Sequence, residues 1–298
     1  MHITLMKNTL IALSLAGVLA TAAQAQNSPP PTPMGDLTGT GAISYESQYV
    51  FRGKKIADSS IQPKAEVGMQ LNANSNFYIG SWANEPVSRR SGAGAAQFQK
   101  DEIDLYAGVY YDLPANVSVD VGDTYYWYPE NGGSSVPSTT GIPLDRSDEA
   151  YIGFIYNTAS MLPGNTNLNP AVYYYHDFNK AADTVEVSAR YTWDLTQALG
   201  FSGLSLQPRI YGGWYSADRE FGDQLAAGTP NWRNGYIYYG ASFDLNYMLS
   251  PYCYLYGSAN FAGNTDGNTG GPASIGGNPQ LGGTRQSAWF GVGLKFRK

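Results

Sequence analysis

The sequence predicts an all-β fold: a transmembrane, up-and-down antiparallel β-barrel of about twelve strands, formed after a signal peptide is cleaved. Three observations predict it. Charged residues make up only 14% of the 298 residues while aromatics reach 14%, and there are 24 Tyr and 35 Gly, a profile of strands and turns. Apolar and polar side chains alternate with a period of two through segment after segment, as they do when successive side chains point to opposite faces. Long and short connections between those segments largely alternate, as the outer loops and inner turns of such a barrel do.

Residues 1–25 read as a secretory signal peptide: Lys7 is the positive n-region, residues 9–22 are an apolar core, and Ala23-Gln24-Ala25 is the cleavage site. Its apolar run is shorter than the ~20 residues of a spanning helix, and no other run is as long, so helices do not place the chain in a membrane. Residues 26–39 form a Pro-rich lead and residues 40–298 the barrel. Formal net charge is −6, and loss of the signal removes one lysine and no acid, which leaves no basic footprint for nucleic acid. The single cysteine, Cys253, excludes an internal disulfide and reads as a small hydrophobe on a strand.

The alternation runs as follows. Ile43, Tyr45, Tyr49 and Phe51 lie on the apolar side of the first segment, and Ile61, Pro63, Ala65, Val67, Met69, Leu71 and Ala73 on that of the second. Later segments show Phe77 and Ile79; Ile103 to Leu113; Val117 to Trp127; Ile152 to Tyr156; Val172 and Tyr174; Val185 to Leu195; Leu204 to Trp214; Ile237 to Tyr247; Cys253 to Phe261; and Ala288 to Phe296. A soluble sandwich also alternates. Several of these segments, however, run about ten to fourteen residues, enough for a tilted transmembrane strand and long for an ordinary one. Tyr49, Phe51, Tyr125, Trp127 and Trp214 then mark an outer aromatic girdle, and Tyr191, Trp193, Tyr247 and Phe296 an inner one. Asp123 falls on the outward parity between Val121 and Tyr125, which predicts a local bulge or break in parity.

Within this frame, Tyr49-Val50-Phe51-Arg52-Gly53, Pro63, Phe77-Tyr78-Ile79-Gly80-Ser81-Trp82, Glu102-Ile103-Asp104-Leu105-Tyr106-Ala107-Gly108 and Tyr125-Tyr126-Trp127-Tyr128-Pro129 follow one another in order. In these residues the sequence resembles the TorF-type porin family, also called Gcw_chp, most densely between Tyr49 and Pro129. The resemblance implies an outer-membrane barrel with a channel role and carries over no catalytic residue. The chain departs from bacterial outer-membrane barrels in ending Phe296-Arg297-Lys298 instead of in a terminal aromatic.

The sequence points away from catalysis and resident cofactors. After the signal, His176 is the one histidine; Asp177 follows it on the opposite face of a strand, so the two make no dyad, and His176 reads as an interfacial or loop-edge residue. One histidine and one cysteine cannot make a zinc site, no phosphate-binding or dinucleotide fingerprint occurs, and Asp266 lacks the ligand repeat of a calcium loop.

By parity the lumen receives Glu46, Arg52, Lys64, Glu66, Glu102, Asp104, Asp112, Asp120, Glu186, Arg190, Asp194, Arg209, Asp244, Lys295 and Arg297. Arg190 and Arg209 fall near mid-depth on adjacent strands, with Glu66 and Asp104 roughly across the ring. That arrangement makes either a constriction with a transverse field or a wall of charges paired between neighbouring strands. Acids outnumber bases in the set, which suggests a weak preference for cations.

Twelve strands stand between the eight that side chains just fill and the sixteen that leave a wide channel. The first expectation is therefore a narrow channel for passive diffusion of small hydrophilic solutes or ions in the outer membrane of a Gram-negative bacterium. Its partners would be outer-membrane lipid and the barrel-assembly machinery. A non-conducting barrel for surface display, adhesion or envelope structure is the second, with the Gly/Asn/Thr-rich residues 262–284 plugging the lumen or presenting a surface. A secreted carbohydrate-binding β-sandwich, suggested by the abundant Tyr and Trp, is the third.

Overall fold

The computed structural model describes residues 35, 37–87, 101–129, 146–158, 167–200, 202–217, 235–265 and 286–298. The signal segment, nearly all of the Pro-rich lead, Asp266 and residues 266–284 of the Gly-rich stretch lie outside the described residues. The elements are β1 (Leu37–Glu46), β2 (Tyr49–Phe51), β3 (Lys54–Ala57), β4 (Ser60–Asn72), β5 (Ser75–Pro86), β6 (Glu102–Leu113) and β7 (Val117–Trp127). They continue with β8 (Arg146–Tyr156), β9 (Asn167–Asp177), β10 (Ala182–Asp194), a one-turn helix α1 (Thr196–Leu199), β11 (Leu204–Ala217), β12 (Gly235–Ser250), β13 (Cys253–Asn264) and β14 (Gln286–Arg297).

Twelve of these strands form one closed barrel, ordered β1, β4 to β14 and back to β1, and β2 with β3 makes a separate two-stranded hairpin. Every neighbouring pair in the wall is antiparallel, and β1 closes the ring by pairing Ile43 with Leu294 of β14 on one side and with Pro63 of β4 on the other. Closure leaves the wall without a free edge, the condition for a sheet to sit in lipid. A two-layer sandwich is thereby replaced by a single continuous sheet.

The parity read from the sequence holds around the ring. Ile79 (54% exposed), Ile210 (65%), Phe243 (53%) and Phe290 (56%) cover the outside, whereas inward residues of the same strands, such as Asn84 and Ser287, are buried. An apolar exterior and a polar interior invert the pattern of a water-soluble globule. Turns at one end are short, spanning 73–74, 114–116 and 251–252; this is called the inner end, and it also carries the 195–203 connection with α1. Both termini of the wall, Leu37 and Arg297, lie at that end.

Two local expectations are corrected. Asp123 causes no bulge: β7 pairs with β6 and β8 in unbroken register, and Asp123 faces Ala107 and Ala150 on the outside, where two small neighbours leave its carboxylate exposed. The first strand does not run outward through Tyr49 and Phe51. It stops at Glu46, and the alternation read beyond that point belongs to the hairpin, which turns away from the wall. Tyr49 and Phe51 therefore leave the aromatic girdle and pack inside, Tyr49 against Trp82 (5.2 Å between ring centroids) and Phe51 against Tyr126 (6.3 Å).

Candidate functional site

The lumen is lined by tyrosines laid over glycines. Tyr78 stands opposite Gly108, Tyr106 opposite Gly80, Tyr151 opposite Gly122, Tyr173 opposite Gly153, Tyr238 opposite Gly213 and Tyr211 opposite Gly240, each a direct cross-strand pair. A Cβ at any of these glycines would collide with the facing ring, so the absent side chain is what lets the ring lie against the sheet. The hydroxyls reach carboxylates on neighbouring strands. Tyr78 (2.5 Å) and Tyr173 (3.0 Å) donate to Asp120, and Tyr106 donates to Glu66 (2.9 Å). On the far wall Tyr238 donates to Glu186 (2.9 Å).

Inward acids crowd one half of the ring, whereas the other half mixes the bases with Glu46, Glu186, Asp194 and Asp244. Lys64 apart, β4 to β8 bring Glu66, Glu102, Asp104, Asp112, Asp120 and Glu149 inward, and Lys64 itself lies 3.3 Å from Glu66. The opposite arc carries Arg190 on β10, Arg209 on β11, and Lys295 and Arg297 on β14. Arg190 and Arg209 are directly opposed across neighbouring strands, an unfavourable arrangement for like charges unless one is compensated. Arg209 is compensated, by Glu186 at 2.7 Å and by the Tyr211 ring at 4.9 Å. Arg190 has no ion-pair or hydrogen-bond partner among the described residues and is exposed to the lumen. Asp244 lies 3.8 Å from Lys295, which also donates to Asn246 (3.1 Å).

β4 and β10 are diametrical, with β5 to β9 between them on one side and β11 to β14 plus β1 on the other. Glu66 and Arg190 thus stand on facing walls. Asp104 shares the acidic arc but sits near the outer end of β6, two residues from buried Glu102, so it belongs to the mouth and not to the level of Glu66.

The outer mouth holds the hairpin. Arg52 and Gly53 form its tip with φ of 47° and 73°, two successive left-handed residues as a two-residue hairpin of type I′ requires. Gly53 has no room for a side chain, since a Cβ would press on the carbonyl of Gly263 and on Tyr238, and its own carbonyl accepts from Asn264 (2.7 Å). Arg52 reaches across to β8 and donates both terminal nitrogens to Glu149, each at 2.8 Å, between the rings of Phe51 (4.7 Å) and Tyr175 (4.9 Å). Tyr126 also donates to Glu149 (3.0 Å), and Lys54 lies over Tyr236 (4.2 Å). From its root between β1 and β4, the hairpin touches β5 and β7 to β9 on one side and β12 and β13 on the other, and so crosses the lumen.

Residues 31–156 match the family described as "Bacterial protein of unknown function (Gcw_chp)". The Gcw_chp stretch ends with the last residue of β8 and contains the hairpin, its anchor Glu149 and the acidic arc; Arg190, Arg209, Lys295 and Arg297 lie beyond it. Its description assigns no function. No curated protein matches the chain. Among solved structures, the "KdgM porin" has 10% identity and a TM-score of 0.43, covering 86% of this chain and 98% of its own. An outer membrane channel from Pseudomonas putida F1 has 12% identity and a TM-score of 0.45, covering 91% and 100%. LpxR from Salmonella typhimurium has 11% identity and a TM-score of 0.49, covering 86% and 99%. Likenesses of this size say nothing of what the chain does.

All seven residues singled out from the sequence, Arg190, Arg209, Glu66, Asp104, Lys64, Arg52 and Asp244, face the interior. The sequence reading starts this strand's alternation at Ile152 and so leaves out Glu149, which the same parity puts inward once the strand begins at Arg146; it also misses the part Arg52 plays at a turn. The pair Arg52-Gly53, followed by Lys54-Lys55, is the signal that marks a turn there. His176 lies on the outer face, its Nδ1 2.8 Å from Asp183, away from the lumen.

Proposed function

We propose that this chain is an outer-membrane channel of a Gram-negative bacterium, through which small hydrophilic solutes or ions diffuse passively, with no cofactor and no chemical step. The observation that carries the reading is the lumen-exposed Arg190, without an ion-pair or hydrogen-bond partner among the described residues, on the wall facing Glu66, inside a closed barrel with a polar lining and an apolar exterior. Facing charges of opposite sign in a narrow, low-dielectric surround set up a transverse field that orients dipolar solutes and sorts ions. Neutralised pairs such as Arg209–Glu186 serve the wall, whereas Arg190, with no direct partner among the described residues, is available to what passes.

The test is single-channel recording of the refolded, signal-free protein in planar bilayers, with reversal potentials under a salt gradient. Discrete conductance steps are expected, and Arg190→Ala should shift selectivity toward cations while Arg190→Lys preserves it. An unchanged reversal potential in Arg190→Ala would remove Arg190 from the conduction path. A folded, inserted protein that never conducts would favour a barrel for display or envelope structure instead.

A further inference from the structure

The β2–β3 hairpin is built to stay inside the lumen. Its tip puts a non-glycine residue, Arg52, in the left-handed conformation, which persists only where surroundings over-determine it. They do so here with the bidentate bond to Glu149, two flanking rings and the Asn264 bond to Gly53. The wall does not need the segment, since Glu46 and Ser60 are already direct partners across β1 and β4. A two-residue turn would connect them, yet residues 47–59 span the gap.

Its charge is also set against its surroundings. The inward groups at the outer ends of β6, β8 and β9 are Glu102, Asp104, Glu149 and Asp177, with Lys180 bonded to Asp177 at 2.8 Å. Into this acidic mouth the hairpin brings Arg52, Lys54 and Lys55, the last held to Asp58. Among the described residues the hairpin thus sets three cations beside these carboxylates.

We propose that the β2–β3 hairpin is the outer constriction of the channel and that Arg52 is its specificity-determining residue, holding back cations at this acidic mouth. This rests on the channel reading above and adds where selection occurs. The hairpin occupies the bore, and Arg52 cancels the charge of Glu149 as it ties the hairpin down.

The experiment compares the parent protein, Arg52→Ala, and a variant in which Asn-Gly replaces residues 47–59. Each is refolded, shown to be folded by heat-modifiable gel mobility, and recorded in planar bilayers with potassium chloride. The loop-free variant should conduct roughly threefold more or better, and Arg52→Ala should raise the cation-to-anion permeability ratio about twofold or more. A silent parent beside a conducting loop-free variant overturns both the channel reading and the proposal, because the hairpin is then a plug and not a selective constriction. A conducting parent whose loop-free variant has the same conductance overturns the proposal and leaves the channel standing. If both are folded, inserted and silent, the channel reading fails and the proposal with it. Should the loop-free variant not fold, an unchanged permeability ratio in Arg52→Ala overturns the proposal by itself.

Discussion

Replacing Ile210 by Arg separates a wall in lipid from a wall in water. Ile210 lies in the middle of β11, is 65% exposed on the outside, and has only Ala189 and Ala241 opposite it on the neighbouring strands. Nothing there can shelter a guanidinium, so the side chain must stretch toward an interface or hold water in the hydrocarbon. For arginine at the midplane of a transmembrane barrel the cost is about 2–4 kcal/mol, falling to about 0–1 kcal/mol near an interface. The folding equilibrium should therefore shift roughly 30-fold to several hundred-fold against Ile210→Arg. Two controls share the strand. Gln207→Arg points inward opposite Asp244 and should cost less than about 1 kcal/mol, since an exposed pair forms in a wet lumen. Ser216→Arg lies on the outer face near the strand's outer end, paired with Asp183 and Gly235, and should cost about as little. Urea unfolding in phosphatidylcholine vesicles, followed by fluorescence of the six tryptophans, measures all three. Equal midpoints for Ile210→Arg and Gln207→Arg would refute the assignment of the outer face to lipid, because in a soluble barrel an arginine at Ile210 is harmless.

Three further outcomes are expected. Gly153→Ala drives a methyl into the Tyr173 ring and should cost about 1–3 kcal/mol by overpacking; a double-mutant cycle with Tyr173→Ser that shows no coupling would discard that explanation. Asp123→Ala removes an outward carboxylate between Ala107 and Ala150 and should stabilise the protein in vesicles by about 1 kcal/mol, whereas a loss of stability would mean that the carboxylate has a partner in the membrane. Glu149→Gln deprives Arg52 of its counter-charge, a change costing about 3–5 kcal/mol where an ion pair is buried, and should loosen the hairpin while sparing the wall. Trypsin should then cleave after Arg52, Lys54 or Lys55 in a barrel that otherwise resists it; equal resistance in Glu149→Gln and parent would show that the ion pair is not what holds the tip.

The wall was legible because one rule, alternation, acts independently on every strand, and residues such as Val67, Ile152 and Phe243 face outward as their parity requires. The interior was legible only as a parity. Which tyrosine covers which glycine depends on register between strands, and nothing within the sequence around Gly153 announces that Tyr173 will lie across it. The hairpin was misread for the opposite reason: Tyr49 and Phe51 continue the alternation of β1, and a period of two is the same in a wall strand and in a strand that leaves the wall. Asp123 shows the limit from the other side. Polarity on an outward position suggested a bulge, whereas the unbroken register with β6 and β8 makes it a solitary acid on a regular strand.

The tyrosines over glycines have a geometric consequence. A ring standing upright from the sheet takes its full length from the bore, whereas a ring lying along the sheet takes little more than its thickness. Pairing each large residue with the smallest one decouples the chemistry of the lining from its calibre. The barrel can therefore present phenolic surfaces along β5 to β9 and again on β11 and β12, on either side of the charged β10, without those rings filling it.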